Sequence, residues 1–481
     1  MSLRSAFAWK ILQFIAIFAV ELGGLAILAR VLTPLDMGIF AAAFALLRFG
    51  QFIGNFGLYN VILRQDVLDL TFRRQIVGLT ATACILVTAV YIIALLIWDF
   101  GAPEATLIWL LPVIPLIAIS MPASALIIRE MRFKTQFRLR LVAAVLFPLC
   151  AVPLAYAGLG PISLAIGTLV SSTVYAVMVV WATGRTFLVR PSLRVGLPML
   201  QFASTLFVLN GVREAREATI TLLIGRLAGL GMLGQYNRAV ELEAKSNQII
   251  SETIMPVLTP HLFNQARQSK DHLRAEVLRS LEYITAIAWP LGCVVVFLGP
   301  ALVALVLGDQ WTLAGQIFSI LGYALAIQSF GAIASTAAVA LKCERRLLAI
   351  AVVNLLASLG VVVVLAAQDI IATLFALVLV QYAVVAVQFW VIAAPLALAP
   401  TQIAQRVWRS FGVTACVAFA VWGMGQFSAG SSAFVVVLLG LIASVALWLV
   451  GLCLTRHPLL AEVRTLLCNL WRPKNVADPE V

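Results

Sequence analysis

Five cations stand inside stretches that are otherwise apolar: Arg48, Arg213, Arg216, Arg238 and Lys245. Carboxylates accompany them, chiefly Glu21, Glu217 and Glu241. Charge surrounded by hydrocarbon is costly, so such residues are expected to face a bundle interior or a water-filled path. Residues 213, 216 and 217 share one helical face, with 214 adjacent to it. Arg213 is spaced to pair with Glu217 within the helix, which leaves Arg216 freer to meet an outside anion. Glu241 lies three residues after Arg238 and four before Lys245, again on one face. The chemistry this allows is reversible capture of an anion. Arginine suits a phosphate because its planar fork carries several donors and stays charged when partly buried. Arg48 is the foremost candidate. The competing role for these charges is structural: Arg48 bridged to Glu21 or Glu217, within a self-neutralised network that locks helices together.

Covalent chemistry has no comparable constellation. There is no nucleophile elbow and no pair of external carboxylates, and His261, His272 and His457 share no ligand spacing. The cysteines at 84, 150, 293, 343, 416, 453 and 468 are scattered, most in apolar runs, and read as small buried hydrophobes. The stretch GLGMLG at 229–234 is a literal G-x-G-x-x-G. A dinucleotide site would need a strand before it and a βαβ unit around it. Here the glycines fall in a turn between two apolar segments, where two helix ends meeting tightly explain them. No catalytic residue, metal or cofactor is expected.

The elements that must hold these charges are helices in a bilayer. Of 481 residues 62% are hydrophobic and 11% charged, against about 25% charged in a typical soluble chain. The net charge of +12 invites a nucleic-acid reading, but its distribution opposes one. Outside the spans, Lys and Arg gather in alternate connections, such as 129–140, 185–194, 267–279 and 456–474, while the intervening connections carry only Arg30 and Arg226. That pattern places both termini in the cytoplasm. Window reading gives fourteen spans, at 10–31, 37–60, 75–98, 105–127, 139–158, 160–182, 197–224, 232–260, 281–306, 312–340, 346–367, 370–395, 407–427 and 431–453. The first is read as an uncleaved anchor helix. Segment 264–280 is expected to form a cytoplasmic helix, and the polar tail 471–481 to stay unpacked.

The chain also repeats itself. LAILARVLTPLDMGIFAAAF at 25–44 aligns without a gap on TLLIGRLAGLGMLGQYNRAV at 221–240, an offset of 196 residues. Arg30 falls on Arg226, Gly38 on Gly234, Phe40 on Tyr236 and Glu21 on Glu217. The chain is therefore expected to comprise two related halves. The repeat also supports a span at 232–260, whose RAVELEAKSNQ alone reads as soluble.

Residues 29–65, with Arg30, Pro34, Gly38 and Phe40 in an Arg…Pro-x-x-x-Gly-x-aromatic pattern, resemble the N-terminal signature of bacterial polysaccharide-transport flippases. These belong to the multidrug/oligosaccharidyl-lipid/polysaccharide exporter superfamily. LLIGRLAGLGMLGQY at 222–236 and PVLTPHLF at 256–263 are similar to the family's seventh and eighth helices. The chain departs from the family at REAREAT, 213–219, where members commonly carry an Asn/Asp-rich patch. The resemblance implies an all-α polytopic fold: a six-helix lobe over 1–194, a second over 195–396, two accessory transmembrane helices over 397–455 and a cytoplasmic tail over 456–481. It implies an inner-membrane flippase for undecaprenyl-pyrophosphate-linked oligosaccharide, serving exopolysaccharide, capsule or lipopolysaccharide synthesis. Arg48, Arg213 and Arg216 would meet the phosphates, Arg238 and Lys245 would line the route, and Glu21, Glu217 and Glu241 would gate or couple a cation. Expected partners are the lipid-linked glycan, the anionic phospholipid bilayer, a polysaccharide polymerase and glycosyltransferases, with no nucleic acid. The alternatives are a cation-coupled drug or metabolite antiporter, a lipid II flippase, and a non-transporting scaffold for polysaccharide assembly.

Overall fold

The computed structural model describes residues 3–55, 58–64, 68–184, 186–192, 197–427 and 433–461. The tail at 471–481 and Cys468 lie outside the described residues. In chain order the helices are α1 (Leu3–Val31), α2 (Pro34–Asn55), α3 (Leu58–Arg64), α4 (Leu70–Ile97), α5 (Pro103–Leu110) and α6 (Val113–Arg129). Next come α7 (Phe133–Tyr156), α8 (Pro161–Ala182), α9 (Leu197–Leu227), α10 (Leu230–Thr253), α11 (Met255–Gln268) and α12 (Lys270–Leu307). A 3₁₀ turn at Asp309–Trp311 leads into α13 (Thr312–Ala340), followed by α14 (Glu344–Leu365), α15 (Ile370–Leu396), α16 (Pro400–Phe427) and α17 (Ala433–Leu454).

This is an all-α polytopic membrane fold. Among the described residues eleven helical segments are long and apolar enough to cross a bilayer, against the fourteen spans expected. The three other expected spans fall on α1, α9 and α10. The latter two carry the REAREA and RAVELEAK charges, which lower their apolar character.

The chain divides into two compact units. The first comprises Met1–Lys245, Val303–Ile317 and Glu344–Val380. The second comprises Ser246–Leu302, Phe318–Cys343 and Gln381–Val481. In the first unit α2 is central, packing against α4, α5, α6, α8 and α9. Its start is set by a reciprocal capping box before Pro34: Asp36 N donates to Thr33 Oγ1 at 3.2 Å, and Thr33 N donates to Asp36 Oδ2 at 3.0 Å. Beside Met37, Phe40 and Leu47 its buried residues are small, with Gly38, Ala41, Ala42, Ala45, Gly50 and Gly54, so neighbouring backbones approach closely at those points.

That closeness is greatest at one point. A Cβ on Gly38 would lie 1.7 Å from Leu230 O, and a Cβ on Gly234 would lie 1.8 Å from Pro34 O. These positions are repeat equivalents, since 34 maps to 230 and 38 to 234. The starts of α2 and α10 therefore cross about a pseudo-two-fold axis, backbone against backbone. GLGMLG belongs to this crossing: Gly229, at φ +93°, turns α9 into α10, and α9 rather than a strand precedes it.

In the second unit α16 and α17 pack together. Their apolar faces join α12 through Val294, Leu298, Val417 and Val421. The basic segment at 264–280 is helical but broken, because Ser269 is extended and its Oγ accepts from His272 N to start α12 afresh. Helix α12 then runs 38 residues, roughly 57 Å at 1.5 Å per residue, nearly twice a hydrocarbon core of about 30 Å. Among the described residues every cysteine is a free thiol, and Cys84 is buried as expected, whereas Cys453 is exposed.

Candidate functional site

The charged residues singled out from the sequence all fall in the first unit. Arg48 lies ten residues beyond Gly38 on α2, about 15 Å along the axis. Its Nη2 is 3.3 Å from Glu214 Oε2 and 3.7 Å from Glu217 Oε2, both on α9. The Arg48 side chain is 49% exposed and that of Glu217 53%, so this cluster borders open space.

A matching pair lies on the other strand of the repeat. Lys245 Nζ, eleven residues beyond Gly234 on α10, donates to Glu21 Oε2 of α1 and lies 6.0 Å from the Phe18 ring centroid. Glu21 and Glu217 are equivalent positions, and Arg48 maps to 244, beside Lys245. Each ion pair thus ties the second helix of one repeat to the first helix of the other. The pairs stand at similar depth below the glycine crossing, because they are placed by the same symmetry.

Two expectations about α9 need correction. Arg213 and Glu217 do not pair within the helix; among the described residues no ion pair joins them, and Glu217 reaches across to Arg48 instead. Arg216 is not the freer cation either, since its Nη1 is 3.5 Å from Ser358 Oγ of α14, which in turn donates to Asn354 Oδ1. Arg213 is the exposed member.

Arg238 also differs from its expected place lining a route. It is 6% exposed, with Nη1 at 2.8 Å from Glu241 and Nη2 donating to Asn237 Oδ1 at 2.9 Å. Its fork is held by neighbours on its own helix, so Arg238 and Glu241 stiffen α10. Sequence reading underrated Glu214: a helical wheel places it only adjacent to the shared face, yet it is the nearer partner of Arg48. It also had no signal for Ser358, an ordinary serine in an apolar helix.

The arrangement can exchange one anion for another. A well-formed charge-assisted bond is about 2.7–2.9 Å; at 3.3 and 3.7 Å Arg48 keeps most of its donor capacity. Among the described residues no cluster of His, Cys, Asp and Glu could hold a metal ion.

Residues 27–316, more than half of the chain, match the sequence model of the family described as "Polysaccharide biosynthesis protein". The chain belongs to this family. It is a member of the multidrug/oligosaccharidyl-lipid/polysaccharide exporter superfamily and a multi-pass bacterial inner-membrane protein. It is similar to the succinoglycan biosynthesis transport protein ExoT of Rhizobium meliloti (strain 1021), 27% identical over 65% of this chain and 64% of that one. It is also similar to the lipopolysaccharide biosynthesis protein WzxC of Escherichia coli (strain K12), 25% identical over 65% of each. The matched segment spans just under two thirds of the length of either relative. In fold it resembles the lipid II flippase MurJ in an inward closed conformation, with a TM-score of 0.70 and 12% identity over 96% of this chain and 100% of that one. An inward-facing multidrug resistance MATE family transporter gives 0.58 and 14% over 82% and 95%.

Proposed function

We propose that the protein is an inner-membrane flippase that carries undecaprenyl-pyrophosphate-linked oligosaccharide from the cytoplasmic to the outer leaflet, for exopolysaccharide, capsule or lipopolysaccharide synthesis. The observation that carries this reading is the symmetric pair of cross-repeat ion pairs, Arg48 with Glu214 and Glu217, and Lys245 with Glu21. A pyrophosphate cannot cross hydrocarbon unaided, because an ion without partners costs far too much there. Cations already held by displaceable carboxylates offer it a path. Arg48 takes the first phosphate, Arg213 and Lys245 extend the positive lining, and Arg216 is drawn in as it leaves Ser358. Glu21, Glu214 and Glu217 are the partners released, free to take up a cation while the substrate is bound.

In this reading α9 and α10 are spans seven and eight despite their charges, because those charges face the path. The two six-helix lobes are 1–194 and 195–396, with accessory helices over 397–455 and both termini cytoplasmic. A polysaccharide polymerase and glycosyltransferases are the expected neighbours. The likenesses to MurJ and to MATE transporters concern fold alone and leave cargo open.

The deciding experiment follows the leaflet distribution of undecaprenyl-pyrophosphate-linked glycan in cells depleted of the protein. Accumulation on the cytoplasmic face, reversed by wild type but not by Arg48→Ala at equal membrane level, is the expected result. An unchanged distribution with normal surface glycan would overturn it and favour the antiporter.

A further inference from the structure

Around the Gly38–Gly234 crossing, three turns that are far apart in sequence are laced together by side chains. The 3₁₀ turn after α12 supplies Gln310, whose Nε2 donates to Ala29 O and to Leu32 O at the end of α1. It also supplies Trp311, fully buried, whose Nε1 donates to Ala29 O at 2.8 Å. In return Arg30 Nη2 donates to Leu305 O, near the end of α12, at 2.9 Å. From the start of α10, Gln235 closes the ring: its Nε2 donates to Gln310 O at 2.8 Å, and its Oε1 accepts from Ala314 N at 2.9 Å. All of these residues belong to the first unit.

We propose that this ring is the latch of the protein's outer gate, with Gln310 as its hinge-pin and Trp311 as its plug. The chemistry suits a reversible closure. The carbonyls it covers are the last ones of α1 and α12, which have no intrahelical donors and must be satisfied from outside the helix. Water at the membrane surface can replace a side-chain donor there at little cost, so the latch opens without leaving buried polar groups unpaired. The ion pairs lie about 15 Å deeper, on side chains that are half exposed at Arg48 and Glu217. The two layers therefore have different tasks. The deep pairs respond to an anion, and the ring determines whether the α2–α10 crossing is shut. Gln310 reaches the end of α1 through its side chain and α10 through its backbone carbonyl, so replacing the side chain frees the turn from α1 while the Gln235 bond remains.

This inference rests on the transporter reading, and its test is separable from the cargo. A cysteine is introduced at Ala42, one turn beyond Gly38 and 5% exposed in the closed crossing. Its rate of reaction with a membrane-impermeant maleimide is measured in membranes, against the parent chain without it. The reagent is applied from the side that labels Leu35→Cys, an exposed position in the first turn of α2, so orientation need not be assumed. Gln310→Ala should raise the rate at least threefold, and Trp311→Phe, which keeps a ring but removes the donor, should raise it in the same direction. Thr312→Ala should leave it unchanged, because the Thr312 hydroxyl only caps Asp309 O within its own turn. A Gln310→Ala rate equal to that of the Ala42→Cys chain alone overturns the proposal, whatever Trp311→Phe does. An equal rise with Thr312→Ala also overturns it, by showing general loosening of the turn. Failure of the flippase reading registers elsewhere, in the leaflet distribution of the glycan.

Discussion

Arg48 touches two carboxylates at distances longer than a saturated guanidinium bond, and its side chain is half exposed. An exposed pair of this kind contributes about 0.2–1 kcal/mol, so on the proposed function a phosphate with bidentate geometry would displace it. Two expected outcomes follow at this scale. Arg48→Lys keeps the charge and loses the fork; glycan export should fall about tenfold, equivalent to roughly 1.4 kcal/mol, when measured as labelled surface polysaccharide per unit of membrane protein. Glu214→Gln removes the nearer competitor and should tighten binding of a pyrophosphate-bearing lipid by about 1.4- to fivefold, on the same 0.2–1 kcal/mol scale. Weaker binding in Glu214→Gln would mean that the carboxylate positions Arg48 instead of competing for it.

Glu282 on α12 is the opposite case. It is 5% exposed and bridged to Arg406 at 3.4 Å and Arg409 at 3.6 Å, both of which keep contact with water. Stranding a buried carboxylate costs about 3–5 kcal/mol, whereas freeing exposed arginines costs little. The double variant Arg406→Ala/Arg409→Ala should therefore lower the thermal unfolding midpoint in detergent far more than Glu282→Gln. Equal shifts would contradict the burial asymmetry.

Elements meet at two places that matter. At the crossing of α2 and α10, Gly38 and Gly234 contribute equivalent contacts to the partner backbone. Gly38→Ala and Gly234→Ala should thus give the same phenotype, a crossing that cannot close and faster labelling at position 42. Opposite effects would rule out the two-fold relation.

At the end of α17, His457 docks the C-terminal helices onto α12. Its Nδ1 accepts from Leu459 N at 3.2 Å, so the proton lies on Nε2, which faces Ser410 Oγ at 3.3 Å. Ser410 Oγ donates to Glu282 O, and Thr285 Oγ1 donates to Ser410 Oγ. Burial lowers the imidazole pKa below its ordinary value of 6.5; Glu282 opposes this and Arg409 adds to it. The folded protein favours neutral His457, so the unfolded chain takes up the proton first as pH falls. The contribution to stability is complete above pH 6.5, declines as pH drops from 6.5 through the lower folded value, and then levels off. The unfolding midpoint should fall over that window in wild type, and His457→Gln should flatten the fall.

For the whole molecule, the offset of 196 residues is a physical relation and not only a likeness of strings. It maps Pro34 to Leu230, Gly38 to Gly234 and Glu21 to Glu217; in the first unit Gly38 meets Leu230 and Gly234 meets Pro34, while Glu21 and Glu217 each meet a cation on the other repeat. Much of this was legible beforehand. Apolar runs near 20 residues must become helices, because hydrocarbon leaves no other way to satisfy the backbone. The repeat marked the crossing glycines and the paired glutamates. The helical wheel misjudged Glu214 and the Arg213–Glu217 pair, because it places residues relative to their own axis and is silent about the helix opposite. The latch at Gln310 and Trp311 carried no pattern at all.

By itself, then, the sequence determined what local and pairwise-repeated physics determines: a helical bilayer protein with a repeat at an offset of 196 residues and cations set within its helices. Tertiary structure decided which carboxylate each cation meets, which arginine stays exposed, that Arg238 is buried, and how the helix ends are laced. Those choices depend on inter-helix distances of a few ångströms between residues more than a hundred positions apart, and the free energy of an ion pair or hydrogen bond is settled at that range.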